Sequence, residues 1–275
     1  MGSRYELWDA FLPFPGAPGL PEVPFDAARL DTFMDAQRGR FDLVVQLHGS
    51  GPQSNVFALE LDAPLTAGFY PTGEVQPSPL FLPWDERENE VTRWLRLLSH
   101  VGIEAEDTAL SFPITSEDRE EAECLKLEHG LTTPYLILHP GAAKEAKRWS
   151  VAQFAEVGRA AQRLGLQVAI TGSLGEVELA QRLQHLLPDA INLAGKTKLG
   201  TLAALLKDAH LLVCNDTGVS HLAAATRTPS VVLFSETDPA RWAPLDASCH
   251  IAVDVNQSST ETVFAAMHSL LGGSL

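Results

Sequence analysis

Cysteine is scarce in this chain. Its three thiols, Cys124, Cys214 and Cys249, lie far apart among 275 residues and match neither a disulfide framework nor a zinc-ligand spacing. No apolar run approaches the roughly 18 residues that read as a membrane-spanning helix, and Met1 to Glu6 carries no secretory hydrophobic segment. Together these point to a reducing compartment, and the cytoplasm is the expected location. Basic residues are few as well, 20 Lys and Arg against 35 Asp and Glu for a net charge of −15, so no basic face exists of the extent that nucleic acid requires. No G-x-G-x-x-G follows a strand-like run, which sets aside a dinucleotide dehydrogenase. An Asp-x-Asp metal motif is missing too.

What remains is 45% hydrophobic, enough for one large core or two smaller ones. The charge is unevenly placed. Residues 1–130 carry 23 acidic against 9 basic side chains, whereas residues 131–275 carry 12 against 11. That shift places a domain boundary near residue 130. A small, locally gripped ligand is expected.

Beyond the boundary, short apolar runs alternate with amphipathic stretches. Tyr135 to Leu138, Gln167 to Ile170, Ala190 to Leu193, His210 to Val213 and Ser230 to Phe234 read as strands; Val151 to Leu164, Glu176 to Leu187, Leu199 to Leu206 and Val219 to Ala225 read as helices. Strands apolar on both faces and separated by helices predict a parallel sheet covered on both sides, a Rossmann-like domain. Ligands of such sheets bind beyond the carboxyl ends of the strands. Each of those ends is polar or contains Gly: His139-Pro140-Gly141, Thr171-Gly172-Ser173, Ala194-Gly195-Lys196, Asn215 to Gly218 and Ser235 to Pro239.

Two of these tips carry chemistry. Cys214 to His221 reads as strand, tight turn and helix start, where unpaired backbone N–H groups and the helix dipole favour a phosphate. Asp216 and Thr217 supply side chains there, Gly218 permits close backbone approach, and His221 sits one turn further on. The competing reading makes Asp216 or Thr217 a helix N-cap with His221 packed beside it. At the other tip, Lys144, Lys147 and Arg148 place three cations within five residues, ahead of Ser150, a suitable N-cap. A cationic loop in an acidic chain marks where a phosphorylated ligand would sit; simple solvation of that loop is the alternative.

The first half reads less clearly. Phe41 to Leu47 is strand-like and ends in the polar tip His48 to Gly51, where His48 is either a substrate contact or a hydrogen-bonded loop residue. Asn89 to Val101 has helical spacing with Val91, Trp94, Leu95, Leu98 and Val101 on an apolar face. The Pro-rich segments Pro13 to Pro24 and Pro71 to Pro83 read as loops or linkers.

The order of a Pro-Gly-Ala turn with a Lys before Trp149, then Thr171-Gly172-Ser173 with Glu176, Asn192 to Gly195, Asp216-Thr217-Gly218 with His221, and Thr237-Asp238-Pro239 resembles glycosyltransferase family 9, the heptosyltransferases of lipopolysaccharide core synthesis. The resemblance is clear over residues 134–245 and looser over 41–130. It implies an α/β fold of GT-B type, with two Rossmann-like domains of parallel sheets: 1–130 on the acceptor side and 131–275 holding a nucleoside-diphosphate sugar, ADP-heptose in most of the family. It also implies that Lys147 contacts the donor phosphates with Arg148 as helper. Glu176 would contact the ribose, and Asp216, Thr217, Gly218 and His221 the diphosphate and sugar. Thr237 and Asp238 would line the same site. The implied reaction is inverting, needs no metal or other cofactor, and delivers the sugar to a glycan or lipid-linked acceptor, which would bring the protein close to a membrane surface.

One departure stands out. The family's N-terminal strand leads into a loop with a Gly-Asp pair whose Asp serves as the base, and this sequence has no Gly-Asp dipeptide. The N-terminal domain is therefore expected to be incomplete, with uncovered surface that favours association with a second copy. The base is unassigned, with His48, Asp42 and Glu60 as replacement candidates. A transferase is the first reading; a non-catalytic nucleotide-sugar binding subunit is the alternative.

Overall fold

The computed structural model describes residues 8–20 and 23–272. The chain forms two compact units, Met1–Asp107 and Thr108–Leu275. The division falls earlier than the change in charge near residue 130. Its cause is the acidic helix α4 (Ser116–His129), which packs on α7 (Leu199–Asp208) of the second unit. A reciprocal capping box starts α4, with Asp118 N–H donating to Thr115 Oγ1 (3.2 Å) and Thr115 N–H to Asp118 Oδ2 (2.9 Å). Gly130, left-handed at φ +67°, ends it. A Cβ at Gly200 of α7 would collide with the Asp118 carboxylate, so the two helices meet where one residue lacks a side chain.

The first unit holds a three-stranded parallel sheet, β1 (Leu43–Val45), β2 (Leu65–Pro71) and β3 (Leu80–Trp84), in that order, with helices α1 (Ala27–Gln37), α2 (Ser54–Glu60) and α3 (Glu90–His100). The segment Pro71 to Pro83 is thus not all linker. It closes β2 and opens β3, an edge strand, where Pro83 costs no ladder bond inside the sheet. The core joins Phe69, Trp84, Leu97 and Ala67, with Phe69 5.4 Å from both Trp84 and Trp94 in edge-on contacts. On α3 the fully buried residues are Leu97 and Arg93, whose guanidinium lies 3.7 Å from the Trp84 ring centre. Arg93 pairs with Glu90 and donates to the Glu88 carbonyl (2.8 Å), so its charge is compensated where it is buried.

The second unit is a six-stranded, all-parallel sheet: β4 (Tyr135–His139), β5 (Gln167–Ile170), β6 (Ile191–Asn192), β7 (Leu211–Asn215), β8 (Ser230–Phe234) and β9 (His250–Asp254), in the order β6-β5-β4-β7-β8-β9. Counted from β4 as the first strand, this is the order third, second, first, fourth, fifth, sixth of a dinucleotide-binding Rossmann sheet, with the topological switch between β4 and β7. Strand residues alternate between two cores. Leu136, Leu138, Val168, Ile170, Leu211, Val213, Val231 and Leu233 pack with α5 (Val151–Arg163), α6 (Val177–Leu186) and α10 (Thr260–Leu271). Tyr135, Ile137, Leu212, Cys214, Val232 and Phe234 pack on the other face with α4, α7 and α8 (Gly218–Thr226). Both faces are covered, which is why the strands read as continuous apolar runs. The fold is the two-unit α/β arrangement with parallel sheets that the resemblance implied.

Candidate functional site

The site is built at the switch point, where β4 and β7 diverge. After β4 the chain turns at Pro140-Gly141, makes a 3-10 turn over Glu145–Lys147, and enters α5 behind Ser150, whose Oγ accepts from Gln153 N–H (3.2 Å). Asn215, fully buried at the end of β7, fastens this loop. Its Nδ2 donates to the Pro140 carbonyl (2.8 Å) and its Oδ1 accepts from Trp149 N–H (2.9 Å). Ser235, beyond β8, adds a bond from its Oγ to the Ala146 carbonyl (3.0 Å). The cationic loop is therefore fixed rather than merely solvated.

That fastening sets Lys147 over the tip of β7. Lys147 Nζ lies 2.7 Å from Asp216 Oδ2, and Thr237 Oγ1 donates to the same oxygen (2.5 Å). Asp216 is only 5% exposed, so its charge needs partners and has two. Three candidates far apart in sequence thus form one hydrogen-bonded cluster. Asp216 is engaged there rather than capping α8, and Thr217, with extended backbone, makes no side-chain cap either. Thr217 thus stands at the N-cap position of α8 without a side-chain cap bond. A Cβ at Gly218 would meet nothing within 4 Å, so the start of α8, where helix N–H groups lack intrahelical partners, is open to close approach.

The remaining candidates make contacts of their own, on the other strand tips and helices of the second unit or within the first unit. His221, half-buried on α8, lies 6.5 Å from the Trp242 ring centre. Asp238 caps the short helix α9 (Pro239–Trp242) by accepting from Ala240 N–H (2.9 Å). Arg148 donates from Nε to the Ala142 carbonyl (2.9 Å), and its charge helps keep Glu176 ionised. Glu176 stands beyond β5, with Oε2 accepting from Ser173 N–H (2.7 Å) and Ser173 Oγ (2.8 Å). Burial pushes the Glu176 carboxyl up, but the Ser173 bonds and the Arg148 charge outweigh it and hold it below the usual carboxylate range. His48, Asp42 and Glu60 are exposed and belong to the first unit. His48 accepts at its carbonyl from Ser54 Oγ (3.1 Å).

The sequence reading did not single out Asn215, Ser235 or His139. All three lie within the polar strand tips, and that position was the available signal. Among the described residues, no group of three or more His, Cys, Asp or Glu could hold a metal ion, and no helix is long and apolar enough to cross a membrane.

Comparison with known proteins shows the family. The chain is 32% identical over 165 residues to lipopolysaccharide heptosyltransferase 3 of Escherichia coli, covering 57% of this chain and 47% of that protein. It is 22% identical over 241 residues to the lipopolysaccharide core heptosyltransferase OpsX of Haemophilus influenzae, covering 82% and 68%. It spans about half the length of the first of these. Among solved structures, a glycosyl transferase family 9 protein from Veillonella parvula matches with a TM-score of 0.71 at 24% identity, covering 90% of this chain and 78% of that one. The E. coli heptosyltransferase WaaC with ADP matches at 0.65 and 19% identity, covering 90% and 79%. The family model for glycosyltransferase family 9 (heptosyltransferase) matches residues 34–266, most of the chain, and the protein belongs to that family.

Proposed function

We propose that the protein transfers a heptose from ADP-heptose to a lipopolysaccharide-type glycan acceptor in the cytoplasm, with inversion and without a metal ion. The observation that carries this reading is the Lys147–Asp216–Thr237 cluster at the switch point, beside the open start of α8. Glycosyl transfer places growing negative charge on the departing nucleoside diphosphate. A lysine and the N–H groups of a helix start are suited to stabilise that charge, because they are aimed at it before it develops. Lys147 would exchange its partner Asp216 for the diphosphate, and Glu176 would hold the ribose. Inversion follows from direct attack by the acceptor hydroxyl on the face opposite the leaving group. The relatives named above are transferases, which favours this reading over a binding-only subunit.

The test is transfer of heptose from ADP-heptose to a deglycosylated lipopolysaccharide core, with and without EDTA. Lys147→Ala should lower the rate by a factor on the order of 100 or more, the scale for removing one group aimed at developing charge; Asp216→Ala should lower it too, because Lys147 loses the partner that holds it over the tip of β7, and EDTA should leave it unchanged. Unaltered rates in both variants would sink the assignment.

A further inference from the structure

His139 is a buried imidazole, 5% exposed, that the reading above leaves without a task. It ends β4 at the switch point, one strand from the tip of β5 that carries Glu176. Its Nδ1 lies 3.0 Å from Thr171 Oγ1, and its Nε2 faces Glu176 Oε2 at 3.9 Å. Burial pushes the imidazole down, against the pull of the Glu176 carboxylate, so the ring is held neutral. In a neutral ring one nitrogen carries the proton. The 3.0 Å contact allows either tautomer; in the one where the Thr171 hydroxyl donates to Nδ1, the proton sits on Nε2, on the Glu176 side, 3.9 Å away and within reach of a hydrogen bond after a small shift of the carboxylate. On the other side, Oε1 occupies the space that a Cβ at position 141 would take, room that only glycine leaves. Ser173 occupies Oε2, and Oε1 points over the bare Gly141 backbone.

In Rossmann sheets, an acidic residue following the second strand accepts from the ribose hydroxyls. Glu176 follows β5, the second strand of this sheet. We propose that His139 is a positioning residue that, with Thr171 and Gly141, fixes the Glu176 carboxylate toward the ribose and thereby makes the site discriminate a ribonucleotide from its 2′-deoxy counterpart. The inference rests on the nucleotide reading above and adds a residue and a selectivity to it.

The experiment is calorimetric titration of the full chain with ADP and with 2′-deoxyADP, and competition by inorganic pyrophosphate as a control. Wild type should bind 2′-deoxyADP about tenfold or more weakly, the scale of one hydrogen bond to a charged group. His139→Asn keeps a polar group near Thr171 but withdraws the donor from Glu176, and should bring the two affinities within about twofold while leaving pyrophosphate competition intact. His139→Gln, whose amide nitrogen can stand where Nε2 does, should restore the preference. A folded His139→Asn protein with the wild-type ratio, or a His139→Gln protein no better than His139→Asn, overturns the proposal. Should His139→Asn not fold, Thr171→Val decides the matter: a reduced ratio supports the proposal, and an unchanged one overturns it. Failure of wild type to bind ADP at all overturns the nucleotide reading itself, and is seen before any variant is made.

Discussion

Among the described residues the first unit has three parallel strands and the second has six, and the two differ most in what they bury. In the second, each sheet face is sealed by three helices, and at the carboxyl ends of the strands buried Asn215 ties the β4 loop to β7. In the first, charge enters the core itself as Arg93 against Trp84, and Leu47, Val56 and Leu65 stand more than half exposed. A polar network lies under its β1 tip: Gln46 Nε2 donates to Asn55 Oδ1 (2.6 Å), and Asn55 Nδ2 to the Phe69 carbonyl (2.9 Å). Gly51, at φ +93°, is confined to glycine because a Cβ there would collide with Asn55. The second unit is therefore a sealed sheet with its candidate site at the carboxyl ends of the strands. The first spends polar residues on holding itself together.

The contrast can be broken at its strongest point. Phe154 of α5 is fully buried in the second unit's core, and Phe154→Ala should cost about 3–5 kcal/mol, the range for truncating a core aromatic, measured by urea unfolding. Arg93→Ala should cost the first unit a similar or slightly smaller amount, roughly 3 kcal/mol, because Glu90 would lose its buried partner. Arg93→Met tests whether the charge itself is needed, and recovery of most of that stability would show that packing on Trp84 matters more. At the sheet edge, Asn215→Ala should reduce ADP affinity about tenfold by freeing the loop that carries Lys147, as two or three buried groups lose their partners; calorimetry would read it.

The smallest expected effect separates the two ends of the second sheet. His250, at the start of β9, bonds Ser230 Oγ through Nδ1 (2.8 Å). Burial pushes its imidazole down from 6.5 despite the nearby Asp246 carboxylate, and His139 is pushed down likewise. Both are neutral when folded, while the unfolded chain takes up protons as the pH falls through about 6.5. Stability is therefore fully present above that value and is lost as pH falls through the lower folded values. His250→Asn should flatten the decline of the melting temperature between pH 7 and pH 5, with ADP binding at pH 7.5 unchanged.

How legible each unit was follows from the same contrast. Strands buried on both faces announce themselves, and Tyr135 to Leu138, Gln167 to Ile170 and Ser230 to Phe234 differ from the observed strands by at most one residue. The edge strand β9 and helix α10 were not read, since only two of the five residues of β9, His250 and Val253, are buried and its run is short and mixed. In the first unit, β1 is shorter than the run Phe41 to Leu47, and the apolar stripe of α3 hides Arg93 at its centre. Of the site, the residues at strand tips were visible because a Rossmann sheet presents its ligands there. Their partners were not. Lys147 meets Asp216 across 69 residues of chain, and Asn215 reaches Pro140 across 75, pairings that only the sheet order creates.

The central claim is that the second unit holds a nucleoside diphosphate through Lys147 at the switch point, without a metal. The most direct measurement is calorimetric titration with ADP, UDP and GDP, with and without Mg²⁺, beside Lys147→Ala. The expected result is ADP binding that is indifferent to Mg²⁺ and at least about tenfold weaker in the variant, the scale of a lost charge-assisted contact. Binding of none of the three, or ADP affinity unchanged in Lys147→Ala, would contradict it.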